Sequence, residues 1–302
     1  MTTQFPAGFS VPEAKRIRLI VNTDAKNEAD DQYAIVHALL TPKFGIEGFV
    51  ASHFGSDKSP TSMQDSYGEI KKLLAMMDRD VPVLKGATAA VNRIGDDSEG
   101  SDFIIAQAFR DDPKRLFCVF MGPLTDMALA IRKRPDIVGQ RVTVVWIGGG
   151  AYPDGGWEYN LLNDIEAANE VFASGIDLWQ VPRNVYSLVL VSVAELEARV
   201  ADKGRIGRYL VDQLLAVNEQ YGNNPSWPSG ESWCLGDSAA VGLLMDSHDF
   251  HYDTVPAPII DGDMKYAGRN EHAIRAYRYV DSRFILEDFY AKLALFQRSG
   301  GK

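Results

Sequence analysis

Short apolar runs alternate with longer amphipathic segments through the first 180 residues of the chain. RLIVN (18–22) is followed by a helical segment near 31–41, GFVAS (48–52) by one near 60–78, and VPVL (81–84) by one near 101–110. RLFCVF (115–120), a segment near 124–134, VTVVWIG (142–148), a segment near 164–174 and IDLWQVP (176–182) complete the series. Apolar runs of this length separated by helices predict an α/β fold: an open, mostly parallel, Rossmann-like sheet with helices on both faces. The β-branched Val142, Val144, Val145 and Ile147 mark a central strand. Residues 193–221 read as helical, GNNPSWPSGESW (222–233) as a mobile lid, a binding loop or a plain surface connection, and Asp237 as a helix start. VPAPII, AIRAYRYV and a final amphipathic helix, SRFILEDFYAKLALF, close the chain. No linker or repeat divides residues 1–302, which predicts a single domain.

Composition narrows the function. The formal net charge is -10, with acids spread along the chain, which argues against a nucleic-acid partner because phosphates need a basic surface. A divalent cation or a neutral polar small molecule suits it better. No apolar run reaches membrane-spanning length and the N-terminus lacks a signal core, so no membrane partner and a cytoplasmic location are expected. The two cysteines, Cys118 and Cys234, are too few for a disulfide framework, and Cys118 within LFCVF reads as a buried thiol.

The turn TDAKNEADDQY (23–33) crowds Asp24, Glu28, Asp30 and Asp31 between the first strand and the first helix. Ligands of parallel sheets bind at such carboxyl ends of strands. The turn contains no glycine, so it does not resemble a phosphate loop; it is either a solvated acidic turn or a place for a hard cation, which prefers carboxylate and carbonyl oxygens. FMGPLTDMALA (120–130) ends another strand where backbone carbonyls can turn toward a ligand. GGGAYPDGGWEYNLLNDIEAAN (148–169) offers Glu158, Asn160 and Asp164, and CLGDSAA (234–240) offers Asp237. Helix capping would equally account for Asp164 and Asp237.

Together and in this order, the four segments resemble the nucleoside hydrolase superfamily. NTDAKNEADD is similar to its DxDPGxDD turn, GPLTD to GPLTN, EYNLLNDIEAA to EFN…DPEAA, and Gly236-Asp237 to a late His-Asp pair. The turn is closest to a divergent branch that reads TDxxNEPDDQ. The resemblance implies a Ca²⁺ cofactor held by Asp24, Asp31, Asp237 and the backbone carbonyl of Met121. It implies Asp30 accepting from a ribose hydroxyl, Glu158 and Asn160 holding sugar hydroxyls, and Asp24 as general base toward water. The expected activity is calcium-dependent hydrolysis of the N-glycosidic bond of a ribonucleoside or related ribosyl compound, in a homodimer or homotetramer. Hydrolysis of another glycoside, or sugar binding without catalysis, are the alternatives, and a magnesium-dependent phosphohydrolase lacks a phosphate-cradling loop.

The sequence departs from the pattern at several points. Gly236 stands where relatives carry the His that helps protonate the leaving base. His53, ending GFVASH, is the histidine nearest the expected rim and a candidate substrate contact, whereas His37 lies on a helix and His248, His251 and His272 in later segments. Asn22 replaces the first Asp of the turn. Lys26 is expected to face water, pair with Glu28 or meet an anionic group. Trp157, Trp227 and Trp233 are candidate platforms for a planar aglycone, with Trp233 the chosen substrate contact; packing of the loop is the alternative role for the loop tryptophans.

Overall fold

The computed structural model describes residues 9–95, 97–246 and 250–300. The expected apolar runs form β1 (Ile17–Thr23), β2 (Phe44–Ala51), β3 (Val83–Lys85), β4 (Leu116–Phe120), β5 (Val142–Ile147) and β6 (Asp177–Val181). Between them lie α1 (Asp31–Leu39), α2 (Ser62–Met76), α3 (Glu99–Ala108), α4 (Thr125–Lys133), a short α5 (Tyr159–Asn163) and α6 (Ile165–Ala173). After β6 come α7 (Arg183–Tyr186), β7 (Leu190–Ser192), α8 (Val193–Arg199), α9 (Gly204–Gln220), β8 (Ser232–Cys234) and α10 (Ser238–Met245). β9 (Tyr252–Ile260), β10 (Tyr266–Tyr277) and α11 (Ser282–Arg298) complete the chain.

The main sheet has eight strands in the order β3-β2-β1-β4-β5-β6-β10-β9. All neighbours are parallel except β10 and β9, an antiparallel hairpin at one edge. Both faces are buried, as near-continuous apolar strands require: Leu19 and Val21 of β1 enter one core, and the intervening Ile20 enters the other. The helical stretch expected over 193–221 is interrupted between α8 and α9, where Gly204 takes φ +71, a conformation costly for other residues. β7 and β8 pair in a separate small antiparallel sheet, which ties the 222–233 loop to the body. Cys118 is buried and free, as expected, and burial pushes its thiol up to about 12. No helix among the described residues is long and apolar enough to cross a membrane.

Strand order reverses between β1 and β4, because β2 and β3 lie on one side and β5 and β6 on the other. A crevice forms at the carboxyl ends of strands at such a switch point. Asp24 follows β1 there and Met121 follows β4, with the Met121 N–H bound to the Asn22 carbonyl at 2.9 Å.

Candidate active site

One large cavity of about 1680 Å³ opens over this switch point. Asp24, Glu28, Asp30, Asp31, Met121, Glu158, Asn160 and Asp237 line it, together with His53. Segments more than 200 residues apart in sequence thus meet, as shown by the Asp237 N–H donating to Asp30 Oδ2 at 3.3 Å. One carboxylate oxygen from each of Asp30, Asp31 and Asp237 lies within 4.8 Å of the others. Asp24 is buried beside them, and its Oδ2 has no hydrogen-bond partner among the described residues. Gly122 permits this approach, since a Cβ there would stand 3.2 Å from both Cβ and Cγ of Asp24.

Burial is the first cause of raised carboxyl pKa values here, and mutual repulsion adds to it. Asp24 is pushed well above the usual carboxylate range by burial and then by Asp31, Glu28 and Asp30, with Lys58 opposing. Burial and then Asp30, Asp31, Asp24 and Glu28 act alike on Asp237. Asp31 is also raised, although a hydroxyl bond from Thr23 offsets part of the effect. The half-buried Glu28 and Asp30 are pushed to about 7 and about 6, with backbone N–H groups around Gly236 and Asp237 restraining Asp30. Such a set of unprotonated oxygens is stable near neutral pH only with positive charge among them. Hard oxygen donors without thiolate or imidazole suit calcium or magnesium better than zinc.

The two helix-cap candidates separate. The Asp164 side chain caps α6 by accepting from Ala167 N–H at 3.0 Å. Asp237 makes no side-chain cap to α10, so its carboxylate is left for the cavity. Glu158 caps α5 and is saturated: Gly149, Asn160 and Leu161 N–H and the Tyr186 hydroxyl all donate to it. Asn160 donates its amide to the carbonyls of Met121 at 3.2 Å and Ile147 at 2.8 Å, leaving Oδ1 as the atom it can turn to a sugar hydroxyl. The Met121 carbonyl keeps a second lone pair for a cation.

The tryptophan expectation needs correction. Trp233 is 3% exposed, sits in the core on β8 and does not line the cavity. Trp227, 36% exposed, packs over it with ring centroids 5.1 Å apart and presents the aromatic surface instead. The loop is exposed from Gly222 to Trp227 and burial begins only at Trp233 on β8, so the outer ring takes the rim. Lys26 faces away from the cavity and pairs with Glu69 at 3.7 Å. His37 is buried against Asp288 on the far side of α1, and His248 lies outside the described residues. Lys58, Tyr159, Tyr186 and Tyr221 line the cavity without having been singled out. The rule that sites gather where parallel strands end would have pointed to Lys58, in the loop after β2, and to Tyr186, after β6.

Two departures from the family pattern turn out to be reciprocal. Asn22, where the pattern has Asp, donates to Asp126 Oδ2 at 2.8 Å, and Asp126 stands where the pattern has the Asn of GPLTN. The two positions meet in one fully buried contact, where the amide and the carboxylate stand in the reverse order from the Asp and Asn of the pattern. Asp126 Oδ1 accepts separately from Ala87 N–H and the Ser98 hydroxyl, so Asp126→Asn retains an acceptor for both. Asn22→Asp alone sets two buried carboxylates face to face and is expected to cost about 3 kcal/mol in urea unfolding. Adding Asp126→Asn should recover about 2 kcal/mol; simple additivity of the two losses would contradict the exchange.

The absent family His at position 236 also has a structural counterpart. A Cβ on Gly236 would meet Tyr186 Cδ2 at 2.7 Å, so the tyrosine ring occupies the room that a side chain would need. The Tyr186 hydroxyl donates to Glu158 Oε1 at 3.0 Å.

His53 is buried at the cavity wall, with Nε2 2.9 Å from Thr125 Oγ1. That hydroxyl donates to Asp164 Oδ2 at 2.7 Å, so it must accept from His53 Nε2–H. Nδ1 is left as an acceptor without a partner among the described residues. Burial, and then the nearby Arg93 charge, lower the imidazole to about 4. A histidine whose folded pKa is depressed contributes stability above its unfolded pKa, near 6.5, and that stability is lost as pH falls toward 4. Replacing it by Asn is expected to flatten the acid limb of a Tm-versus-pH curve, by up to about 3 kcal/mol of stability between those limits. An unchanged limb would show that His53 is not held neutral.

Comparison with known proteins assigns this fold and its acidic crevice to the hydrolases of N-glycosidic bonds. Residues 19–272 match the family described as inosine-uridine preferring nucleoside hydrolase, and the chain belongs to it. It is 26% identical over 226 residues to the pyrimidine-specific ribonucleoside hydrolase of Salmonella arizonae, covering 66% of this chain and 70% of that protein. In structure it is similar to the purine-preferring ribonucleoside hydrolase from Gardnerella vaginalis, with TM-score 0.75, 20% identity and coverage of 93% and 99%. A plant nucleoside hydrolase gives TM-score 0.74 at 21% identity, covering 92% and 99%. The family is metal-dependent, and the Asp30, Asp31 and Asp237 cluster gathers the hard donors of this chain.

Proposed function

We infer that this chain is a calcium-dependent hydrolase of ribonucleosides or closely related ribosyl compounds. The observation that carries the reading is the convergence of Asp24, Asp30, Asp31 and Asp237 at the ends of β1 and β4, with Asp24 Oδ2 buried and without a partner among the described residues. Asp24, Asp31, Asp237 and the Met121 carbonyl would hold the ion, and the unsatisfied oxygen and mutual repulsion of the acids fit a dication. When bound, it supplies positive charge against the carboxylates and acidifies a neighbouring water.

The protein's own groups do the rest. Asp30, restrained by the N–H groups of Gly236 and Asp237, accepts a hydrogen bond from a ribose hydroxyl. The Oδ1 of Asn160 accepts from another. Glu158, its oxygens already bound, fixes the far wall and orients the Tyr186 hydroxyl rather than moving. The carboxylate of Asp24 takes the proton of the attacking water. Positive charge growing at the anomeric carbon is met by the surrounding carboxylates. His53 Nδ1 is a further acceptor at the wall, buried and without a partner among the described residues.

The test is incubation with calcium and a panel of nucleosides, followed by an assay for free ribose. Release of ribose from at least one supports the reading, and affinity for sugar without product would make this a binding protein instead. Release of phosphate from phosphoesters with a preference for magnesium would favour a phosphohydrolase.

A further inference from the structure

We propose that Lys58 holds the leaving aglycone and supplies the proton that the absent histidine at position 236 cannot. This rests on the hydrolase reading above. Sugar hydroxyls are drawn to the acidic floor, so the aglycone must project toward the aromatic rim, where Tyr159, Tyr221 and Trp227 line the cavity. Lys58 Nζ lies over two of those rings, 5.2 Å from the centre of Tyr159 and 5.5 Å from that of Tyr221.

An ammonium has three donors in all. Asn27 takes two of them, through its carbonyl at 2.7 Å and Oδ1 at 2.5 Å. The third has no acceptor among the described residues, so the head is clamped with one N–H to spare. Asn27 belongs to the acidic turn of residues 23–33, which therefore carries both the proton acceptor Asp24 and the anchor of Lys58. The other cations of the cavity wall are placed differently. Arg183 is bound to the Trp157 carbonyl at 3.2 Å, and Arg93 lies beside His53.

In the step, the C–N bond breaks with its electron pair passing to the aglycone. Lys58 donates a proton to the leaving nitrogen or a conjugated oxygen while water adds to the anomeric carbon and gives its proton to Asp24. Solvent then recharges Lys58 and discharges Asp24, which balances the hydrolysis.

Lys58→Met is therefore expected to lower kcat on a ribonucleoside about 100-fold. On a nitrophenyl riboside, whose aglycone leaves without protonation, kcat should change less than about threefold because that proton is not required. Lys58→Arg, which keeps the charge but does not release a proton, should leave the nucleoside rate low. Equal losses on both substrates, or no loss on either, overturn the role of Lys58 while leaving the hydrolase reading intact. A native chain that frees ribose from neither substrate overturns both.

Discussion

Asp24→Asn is expected to lower ribose release at least about 1000-fold while leaving the protein folded. The substitution keeps the shape of a side chain buried against Gly122 but removes both the proposed proton acceptor and one proposed anionic donor to the cation. It also removes a charge that Asp31, Glu28 and Asp30 repel, so Tm without metal should hold or rise. A group that only packed would show the reverse, with stability falling and kcat holding. Steady-state kinetics beside a thermal melt separates the two. Retention of more than a tenth of the native kcat would remove Asp24 from the chemistry.

The second large effect is on metal removal. Chelation should abolish turnover, and returning calcium should restore it. The pH dependence of stability carries the same information. Glu28 near 7 and Asp30 near 6, with Asp24, Asp31 and Asp237 also raised, all have folded pKa values above their unfolded ones. The contribution of Glu28 and Asp30 to metal-free stability is complete at pH below about 4 and is lost as pH rises through about 6 to 7. Calcium binding needs the ionised acids and so strengthens over the same range. The Tm gained on adding calcium should therefore grow from pH 5 to pH 7.5. At a free concentration 100 times Kd the gain is about 2.7 kcal/mol, a rise of order 5 °C for a chain of this size. A gain that shrinks with rising pH would contradict this picture of the site.

Much of this was legible in the chain because its signals are local. RLIVN, RLFCVF and VTVVWIG are apolar on both sides of the pleat, and only a sheet covered twice buries them. The acids of 23–33 sit directly after the first such run, at the place where parallel sheets bind ligands. Other features depend on contacts that no local pattern encodes. Asp164 and Asp237 look alike as helix-start residues, yet one is spent on α6 and the other is left for the cavity. Trp227 and Trp233 bracket the same loop, and only tertiary packing decides which ring is covered. The exchange between Asn22 and Asp126 joins residues 104 apart, and the use of Gly236 by Tyr186 joins separate elements. Each reads in sequence as an isolated departure and becomes intelligible only across the contact.

The account depends on a hard cation lying among the oxygens of Asp24, Asp31, Asp237 and Met121. Anomalous diffraction from crystals grown with calcium tests this most directly. The expected result is a single strong peak at that point, surrounded by six to eight oxygens at about 2.3–2.6 Å. A featureless map there under excess calcium, with the carboxylates bound only to one another and to solvent, would contradict it.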